Sequence, residues 1–316
     1  MRPFVLALRA LGLGDLLTAV PALRGLRGAF PDHRLLLAAP KPLEPLALAA
    51  EAADEVVHAQ PLAPLPPRLA GADLAVDLHG RGPESHGVLL AARPRRLLAF
   101  AHEDVPRSVG LPAWRPGEHE VDRWCRLLRE AGIPAEPTDL RLDPGRLPSG
   151  EAARGATLLH PGAASGARRW PAERFAAVAR REREVGRRVV VTGAPAEEPL
   201  ARAIAGAAGL PAEAVLAGRT GLLELAALVG AAARIVCGDT GVAHLATALA
   251  TPSVVLFGPT PPHEWGPRLE PGRHRALWAG ARGDPHAAEP SAGLLALDVA
   301  DVLRALDELD RLGVAA

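Results

Sequence analysis

Short apolar runs alternate along this chain with longer stretches in which apolar residues recur at helical spacing. Such runs are typical of buried strands, and their alternation with helices is typical of βαβ units. We predict strands at residues 4–8, 34–38, 55–58, 74–78, 96–100, 156–160, 188–192, 214–216, 234–237 and 253–257. Because a βαβ connection makes its two strands parallel, the pattern predicts an α/β fold built on parallel sheets.

A segment rich in Pro and Gly, residues 142–150, separates the two series of strands and has the composition of a linker. The 316 residues exceed what one core usually holds. We therefore predict two Rossmann-like, doubly wound domains, 1–148 and 149–316, whose sheets face each other across a cleft. Ligands of such sheets bind at the carboxyl ends of the strands. A final helix is predicted over 294–312, and its pattern leaves open which domain it packs on.

Charge and cysteine content narrow the class of protein. The 36 basic and 36 acidic residues balance, so a nucleic acid partner is not expected. Apolar runs fall short of the ~20 residues that span a bilayer, and Arg9 interrupts the first run before a signal-peptide core forms. Cys125 and Cys237 lack the spacing of metal ligands. We expect a cytoplasmic enzyme with two buried thiols, no metal site and no cofactor.

The first strand runs into a loop that contains Gly12, Gly14 and Asp15, and a helical pattern follows. The two glycines would let the backbone turn tightly beside a ligand, but the third glycine of a dinucleotide fingerprint is missing. Asp15 falls near the helix start, where it either caps backbone amides or acts as a general base for an acceptor hydroxyl. The local sequence leaves both roles open.

Two loops of the second half are candidate anion sites. Residues 161–171 contain small residues, Arg168 and Arg169 ahead of a helix, where amides and guanidinium groups favour phosphate. Solvated surface charges are the alternative for this Arg pair. A further loop, residues 192–198, puts Glu197 at a helix start, where it either stabilises the helix dipole or binds ribose hydroxyls.

The second anion candidate follows the strand at 234–237. Asp239 and Thr240 stand at a cap position, and the amides from Thr240 to Val242, Gly241 included, point out of the helix start, where a diphosphate would bind. His244 lies one turn further. We expect it to be one of the donor-binding residues, with a structural role that orients Asp239 or the loop as the alternative.

The order and spacing of these segments resemble those of the bacterial heptosyltransferases of lipopolysaccharide biosynthesis, glycosyltransferase family 9. The resemblance covers nearly the whole chain and rests on Leu13-Gly14-Asp15, Pro21-Ala-Leu-Arg, Val76-Asp77-Leu78-His79-Gly80, Pro161-Gly-Ala, Arg169-Trp170-Pro171, Thr220 to Leu225, Asp239-Thr-Gly-Val-Ala-His244 and Phe257-Gly-Pro-Thr. It implies a GT-B architecture and an inverting transfer that needs no metal in the chemical step.

The resemblance also assigns roles to single residues. Asp15 matches the family's general base, and Glu197 matches its ribose contact. Asp239, Thr240 and Gly241 match the loop that holds the donor diphosphate.

Arg168 occupies the position of the family's phosphate-binding Lys, two residues before Trp170. Arg keeps the positive charge and binds phosphate through two N–H groups, but it is bulkier than Lys and not equivalent to it. The role of Arg168 therefore depends on how its side chain is placed.

The resemblance implies transfer of a sugar, expected to be heptose from ADP-heptose, onto a lipopolysaccharide-type or other cell-envelope glycan or glycolipid. A lipid-linked acceptor would bring the protein briefly to the inner face of the cytoplasmic membrane. Arg93, Arg95 and Arg96 favour such contact, with a solvated basic edge as the alternative. Two other functions remain open: a sugar-nucleotide epimerase or hydrolase on the same fold, and a nucleotide-sugar-binding protein without catalysis.

Overall fold

A computed structural model describes residues 3–311 and Gly313. The chain divides into two compact units, Met1–Leu140 and Arg141–Ala316, and each contains one five-stranded parallel sheet. The predicted α/β class with two parallel sheets is confirmed. The segment predicted as a linker belongs to the second unit, where the Leu142 amide donates to the Ala248 carbonyl oxygen at 3.0 Å.

The first unit is a doubly wound sheet in the order β3-β2-β1-β4-β5. Its strands are β1 (Phe4–Leu8), β2 (Arg34–Ala39), β3 (Glu55–His58), β4 (Leu74–Asp77) and β5 (Arg96–Leu98). Its helices are α1 (Leu13–Ala29), α2 (Glu44–Ala49), α3 (Glu84–Ala91) and α4 (Glu120–Glu130). The strand order reverses between β2-β1 and β4, so the loops after β1 and β4 lie side by side at the ligand-binding edge.

Burial explains why these segments form strands. Every residue of β1 and β4 is buried, as expected for strands that are covered on both faces. Helix α1 packs on α4, and it also approaches the segment after α4 closely, since a Cβ atom on Gly25 would lie 2.5 Å from the Pro134 carbonyl oxygen.

The second unit has the strand order β10-β9-β8-β6-β7. Its strands are β6 (Thr157–His160), β7 (Val189–Val191), β8 (Arg234–Gly238), β9 (Ser253–Phe257) and β10 (His274–Trp278). Its helices are α5 (Ala172–Glu184), α6 (Glu198–Ala208), α7 (Leu222–Ala231), α8 (Gly241–Ala248), α9 (Pro262–Trp265), α10 (Ala292–Ala296) and α11 (Val299–Arg311). The loops after β6, β7, β8 and β9 therefore share one edge of the sheet.

One strand prediction in this unit was wrong, and one strand was missed. The segment 214–216 is not a strand, since Val215 makes only an isolated parallel bridge to Val191. Strand β10 was missed because it is an edge strand with one buried residue, His274, so it lacks the apolar run that marks the central strands.

The predicted single helix at the chain's end is two helices. Asp298 and Asp301 each accept a hydrogen bond from the other's backbone N–H at 2.9 Å, and this reciprocal pair starts α11. Helix α11 packs in the second unit against α5, β9 and β10. Arg234, which is fully buried, holds it there by pairing with Glu182 at 2.7 Å and Asp310 at 2.8 Å.

Cys125 and Cys237 are free and buried, as predicted. Burial raises the pKa of Cys125 to about 12 and also raises the pKa of Cys237, so both thiols stay protonated and behave as small apolar side chains. Within residues 3–311, no helix is long and apolar enough to cross a membrane.

Candidate functional site

The loop that carries Arg168 begins where β6 ends and forms a single 3₁₀ turn, Gly166–Arg168. The Arg168 guanidinium donates from Nη1 to the Asp239 carbonyl oxygen at 3.2 Å and from Nε to Ser165 Oγ at 3.4 Å. A Cβ atom on Gly238 would lie only 2.8 Å from the Arg168 carbonyl oxygen. The loops after β6 and β8 are thus in direct contact, and the two anion candidates form one cradle.

A third segment, residues 285–291, covers the Arg168 loop from the other side. The Ala167 amide donates to the Ala287 carbonyl at 2.9 Å, and the Ser291 amide donates to the Ala167 carbonyl at 3.2 Å. At Gly166 the approach is closest, because an added Cβ atom would stand 1.5 Å from the Ala288 carbonyl oxygen. Sequence analysis missed this segment, since backbone contacts of this kind leave no side-chain signature.

The loop after β8 has the local structure that the sequence indicates. Thr240 is the N-cap residue of α8, and Gly241 begins the helix. Asp239 is 5% exposed, and Thr240 Oγ1 is buried without a hydrogen-bond partner among the described residues. A helix N-terminus with a free hydroxyl beside a guanidinium is suited to phosphate oxygens. His244 stacks edge-on against Trp265, with ring centroids 5.9 Å apart.

Glu197 lies at the end of a 3₁₀ turn after β7, where it accepts the Ala194 amide at 2.8 Å. Its carboxylate also reaches the loop after β6, since a Cβ atom on Gly162 would meet Glu197 Oε1 at 2.0 Å. His160, at the end of β6, shares a 3.0 Å hydrogen bond with Thr192 Oγ1. Burial lowers the pKa of His160 to about 4, although the Glu197 charge opposes that shift. A neutral imidazole that sequence analysis did not single out therefore stands beside Glu197.

In the first unit, Asp15 is the third residue of α1 and not its cap. Its Oδ2 accepts the Gly12 amide at 3.1 Å, and its Oδ1 lies 3.3 Å from Arg9 Nη2. The side chain is 28% exposed, so the carboxylate binds a backbone amide and is still open to a ligand.

The predicted tight turn at Gly12 and Gly14 is wrong. Gly12 has φ −82° and ψ −176°, extended backbone that any residue adopts, and Gly14 lies within the first turn of α1. Residues 9–12 join β1 to α1 with a bend at Leu11, whose amide donates to the Arg9 carbonyl oxygen at 2.9 Å, and neither Gly12 nor Gly14 has the positive φ that would require glycine.

Arg9 holds the Asp15 loop in place. Its side chain is 1% exposed and donates to the Asp15 carbonyl oxygen at 2.9 Å and to the Leu78 carbonyl oxygen. It also pairs with Glu120 at 2.9 Å and lies 4.7 Å above the Trp124 ring. A buried charge with this many partners fixes the positions of the groups around it.

The described residues contain no cluster of three or more His, Cys, Asp or Glu side chains arranged to hold a metal ion. At the cradle in the second unit, the Arg168 guanidinium and the dipole of α8 both favour an anionic ligand.

Two doubly wound parallel sheets, each with loops that carry charged and polar groups at its carboxyl edge, define an α/β protein of the ligand-binding Rossmann-like class. Residues 110–281, more than half of the chain, match the sequence profile of glycosyltransferase family 9 (heptosyltransferase). The chain belongs to this family.

Individual relatives agree with this assignment. The chain is 36% identical to a lipooligosaccharide heptosyltransferase 2 of Haemophilus influenzae over 108 residues, 32% of this chain and 31% of that protein. It is 34% identical to a lipopolysaccharide heptosyltransferase 1 of Pseudomonas aeruginosa over 154 residues, 48% of this chain and 42% of that protein. These matches therefore span less than half the length of the curated relatives.

The fold extends the similarity over the full length. The structure of the Escherichia coli ADP-heptose lipopolysaccharide heptosyltransferase II superimposes with a TM-score of 0.76 and 22% identity, covering 98% of this chain and 99% of that one. At this identity the match shows a shared fold.

Proposed function

We propose that this protein is an inverting glycosyltransferase that moves heptose from an ADP-linked donor onto a lipopolysaccharide-type glycan or glycolipid. Family membership supports a sugar-transfer reaction. The observation that carries the proposal is the contact between Arg168 and the Asp239 loop, because it joins a guanidinium and a helix N-terminus into one site for a diphosphate.

The proposed reaction has two halves, each assigned to residues of one unit. Asp15 accepts the proton of an acceptor hydroxyl as that oxygen attacks the anomeric carbon of the donor. The bond from this carbon to the diphosphate breaks on the opposite face, and the leaving oxygen carries the electron pair away. Arg168 and the first turn of α8 bind the charge that develops there. Glu197 is the proposed contact of the donor ribose hydroxyls.

Arg168 differs from the Lys of the family, and its contacts suggest how it substitutes. Two of its N–H groups hold Ser165 Oγ and the Asp239 carbonyl oxygen, so the guanidinium is fixed before a ligand binds. Its remaining N–H groups supply a planar pair of donors for phosphate oxygens. Preorganised donors of this kind lose little entropy on binding.

Transfer of labelled sugar from ADP-heptose to a delipidated, truncated core oligosaccharide tests this function. We expect Asp15→Asn to abolish transfer while the affinity for ADP, measured by calorimetry, changes less than about twofold. Asp32→Asn, at an exposed turn of the same unit, is the matched control and keeps activity. Equal losses of transfer and ADP affinity in Asp15→Asn would count against the general-base role.

The donor site has its own variants. Arg168→Met is expected to weaken ADP binding about 10–100-fold, the effect of losing charge-assisted hydrogen bonds, while the exposed Arg180→Met leaves it unchanged. UDP and GDP, titrated in parallel, decide which nucleotide the site prefers. Rapid release of ADP from ADP-heptose without any acceptor would favour a hydrolase over a transferase.

Contact with the membrane is also a proposal. Arg93 and Arg95 precede β5 and Arg96 begins it, and Arg95 pairs with Asp73 at 2.9 Å. Co-sedimentation with vesicles that contain anionic lipid, compared between the wild type and Arg93→Gln/Arg96→Gln, tests it. Equal binding by both proteins would support the solvated-edge interpretation.

A further inference from the structure

His79 lies next to the Asp15 loop because of how β1 and β4 pair. Leu8 stands opposite Asp77 in the parallel register, and the Leu78 amide continues the ladder to the Leu8 carbonyl oxygen at 3.1 Å. Arg9 then ties the two loops together, since it donates to the Leu78 carbonyl oxygen and to Asp15. The residue after Leu78 is therefore held beside the proposed general base.

A buried carboxylate holds the backbone of His79 through a hydrogen bond. Asp77 is fully buried, and its Oδ1 accepts the His79 amide at 2.8 Å. Its Oδ2 lies 3.4 Å from Nε2 of His86, which is also fully buried. Asp77 thus holds the start of the loop after β4 through the His79 amide, and its other oxygen faces His86 in α3. A buried group with contacts on both sides leaves the loop little freedom to move.

The imidazole of His79 is held with one nitrogen inward. The side chain is partly exposed, and Nδ1 is its buried nitrogen, with no hydrogen-bond partner in residues 3–311 or Gly313. Burial lowers the pKa of His79, and the Asp77 charge opposes this shift only in part. The ring is therefore neutral at physiological pH and carries one proton.

The position of that proton follows from the cost of burial. An N–H group buried without an acceptor is rarer and costlier than an acceptor nitrogen without a donor. The tautomer with hydrogen on Nε2 is therefore favoured, and the outward nitrogen is a donor. Such a donor is no base for a hydroxyl proton, but it pairs well with a sugar oxygen.

We infer that His79 is an acceptor-binding residue whose Nε2–H donates to a sugar hydroxyl next to the one that Asp15 deprotonates. This role rests on the proposed transferase function and adds a substrate preference to it. The carboxylate and the imidazole lie on neighbouring loops joined by Arg9, and an acceptor and a donor so placed suit a saccharide with two neighbouring hydroxyl groups. His79 selects and orients the acceptor, while Asp15 carries the proton.

The test compares His79→Leu, His79→Gln and the control His33→Leu, a partly exposed residue of the same unit. In transfer to the delipidated, truncated core oligosaccharide, His79→Leu is expected to raise the KM for the acceptor about tenfold, the upper effect of one lost hydrogen bond. The KM for ADP-heptose stays within about twofold. His79→Gln restores most of the acceptor KM because its amide donates from a similar place, and it also guards against a folding defect.

The results separate the two proposals. Unchanged acceptor KM in His79→Leu, equal increases for donor and acceptor, or the same loss in His33→Leu would each overturn the role of His79. If the wild type transfers no sugar at all, the proposed function fails, and calorimetric titration with the same oligosaccharide still decides the inference. Weaker binding by His79→Leu than by His33→Leu then supports it, whereas equal binding, or no binding by the wild type, overturns it.

Discussion

Replacement of Gly166 by Ala is a sharp test of the donor cradle. The Cβ atom would stand 1.5 Å from the Ala288 carbonyl oxygen, whereas nonbonded heavy atoms approach to about 3.5 Å at their optimum. The position of the Cβ atom is fixed by its own backbone and the Ala288 oxygen is a backbone atom, so no flexible side chain can move aside. The strap of residues 285–291 and the 3₁₀ turn that carries Arg168 must therefore separate.

The magnitude follows from the contacts that this separation breaks. The hydrogen bonds from the Ala167 amide to Ala287 and from the Ser291 amide to Ala167 span the same gap, and each contributes about 1 kcal/mol. Overpacking adds about 1–3 kcal/mol. We expect a loss of about 3–5 kcal/mol in the free energy of unfolding. Displacement of Arg168 should also weaken ADP binding about 10–100-fold through lost charge-assisted hydrogen bonds.

Gly206→Ala is the matched control. Gly206 lies in α6, and no described atom would stand within 4 Å of its added Cβ atom, so this change should stabilise the helix by about 0.5–1 kcal/mol. Urea unfolding measures stability, and calorimetry with ADP measures the site. ADP affinities of the two variants within about twofold of each other would refute the idea that the strap positions Arg168.

Three further outcomes are expected. Arg234→Met should lower the free energy of unfolding by about 3–5 kcal/mol because it leaves Glu182 buried without its main partner, and adding Glu182→Leu should recover part of the loss in the same urea assay. Folding lowers the pKa of His160 to about 4, below its ordinary value of 6.5, so between these pH values the unfolded chain binds more protons than the folded chain. The free energy of unfolding therefore falls as pH drops from 6.5 towards 4. His160→Gln should flatten this pH dependence in unfolding measured across the same window, and an unchanged slope would contradict the argument. Arg9→Leu should lower the free energy of unfolding by about 2–4 kcal/mol, because Glu120 loses Arg9 and keeps only its other partners. Sugar transfer should fall more than the affinity for ADP. Equal falls in both would mean that Arg9 acts on the fold alone.

The sequence by itself determined the elements with strong local signals. Central strands such as β1 and β9 are uninterrupted buried runs, and the cap at Thr240 follows from a small polar residue ahead of an apolar helix. Motif order along the chain was enough to identify the family. Signals of this kind depend on residues that are close together in the chain, so they can be recognised in the sequence alone.

The tertiary structure decided which of these pieces meet. The contact between Arg168 and the Asp239 carbonyl oxygen joins residues 71 positions apart, and the strap over Gly166 is made by backbone groups. The neutral state of His160 comes from its burial, which the sequence around it does not encode. Likewise, only the pairing of β1 with β4 puts His79 beside the Asp15 loop. These contacts join residues that are far apart in the sequence and form only when the chain packs, so the local pattern of one sequence does not predict them.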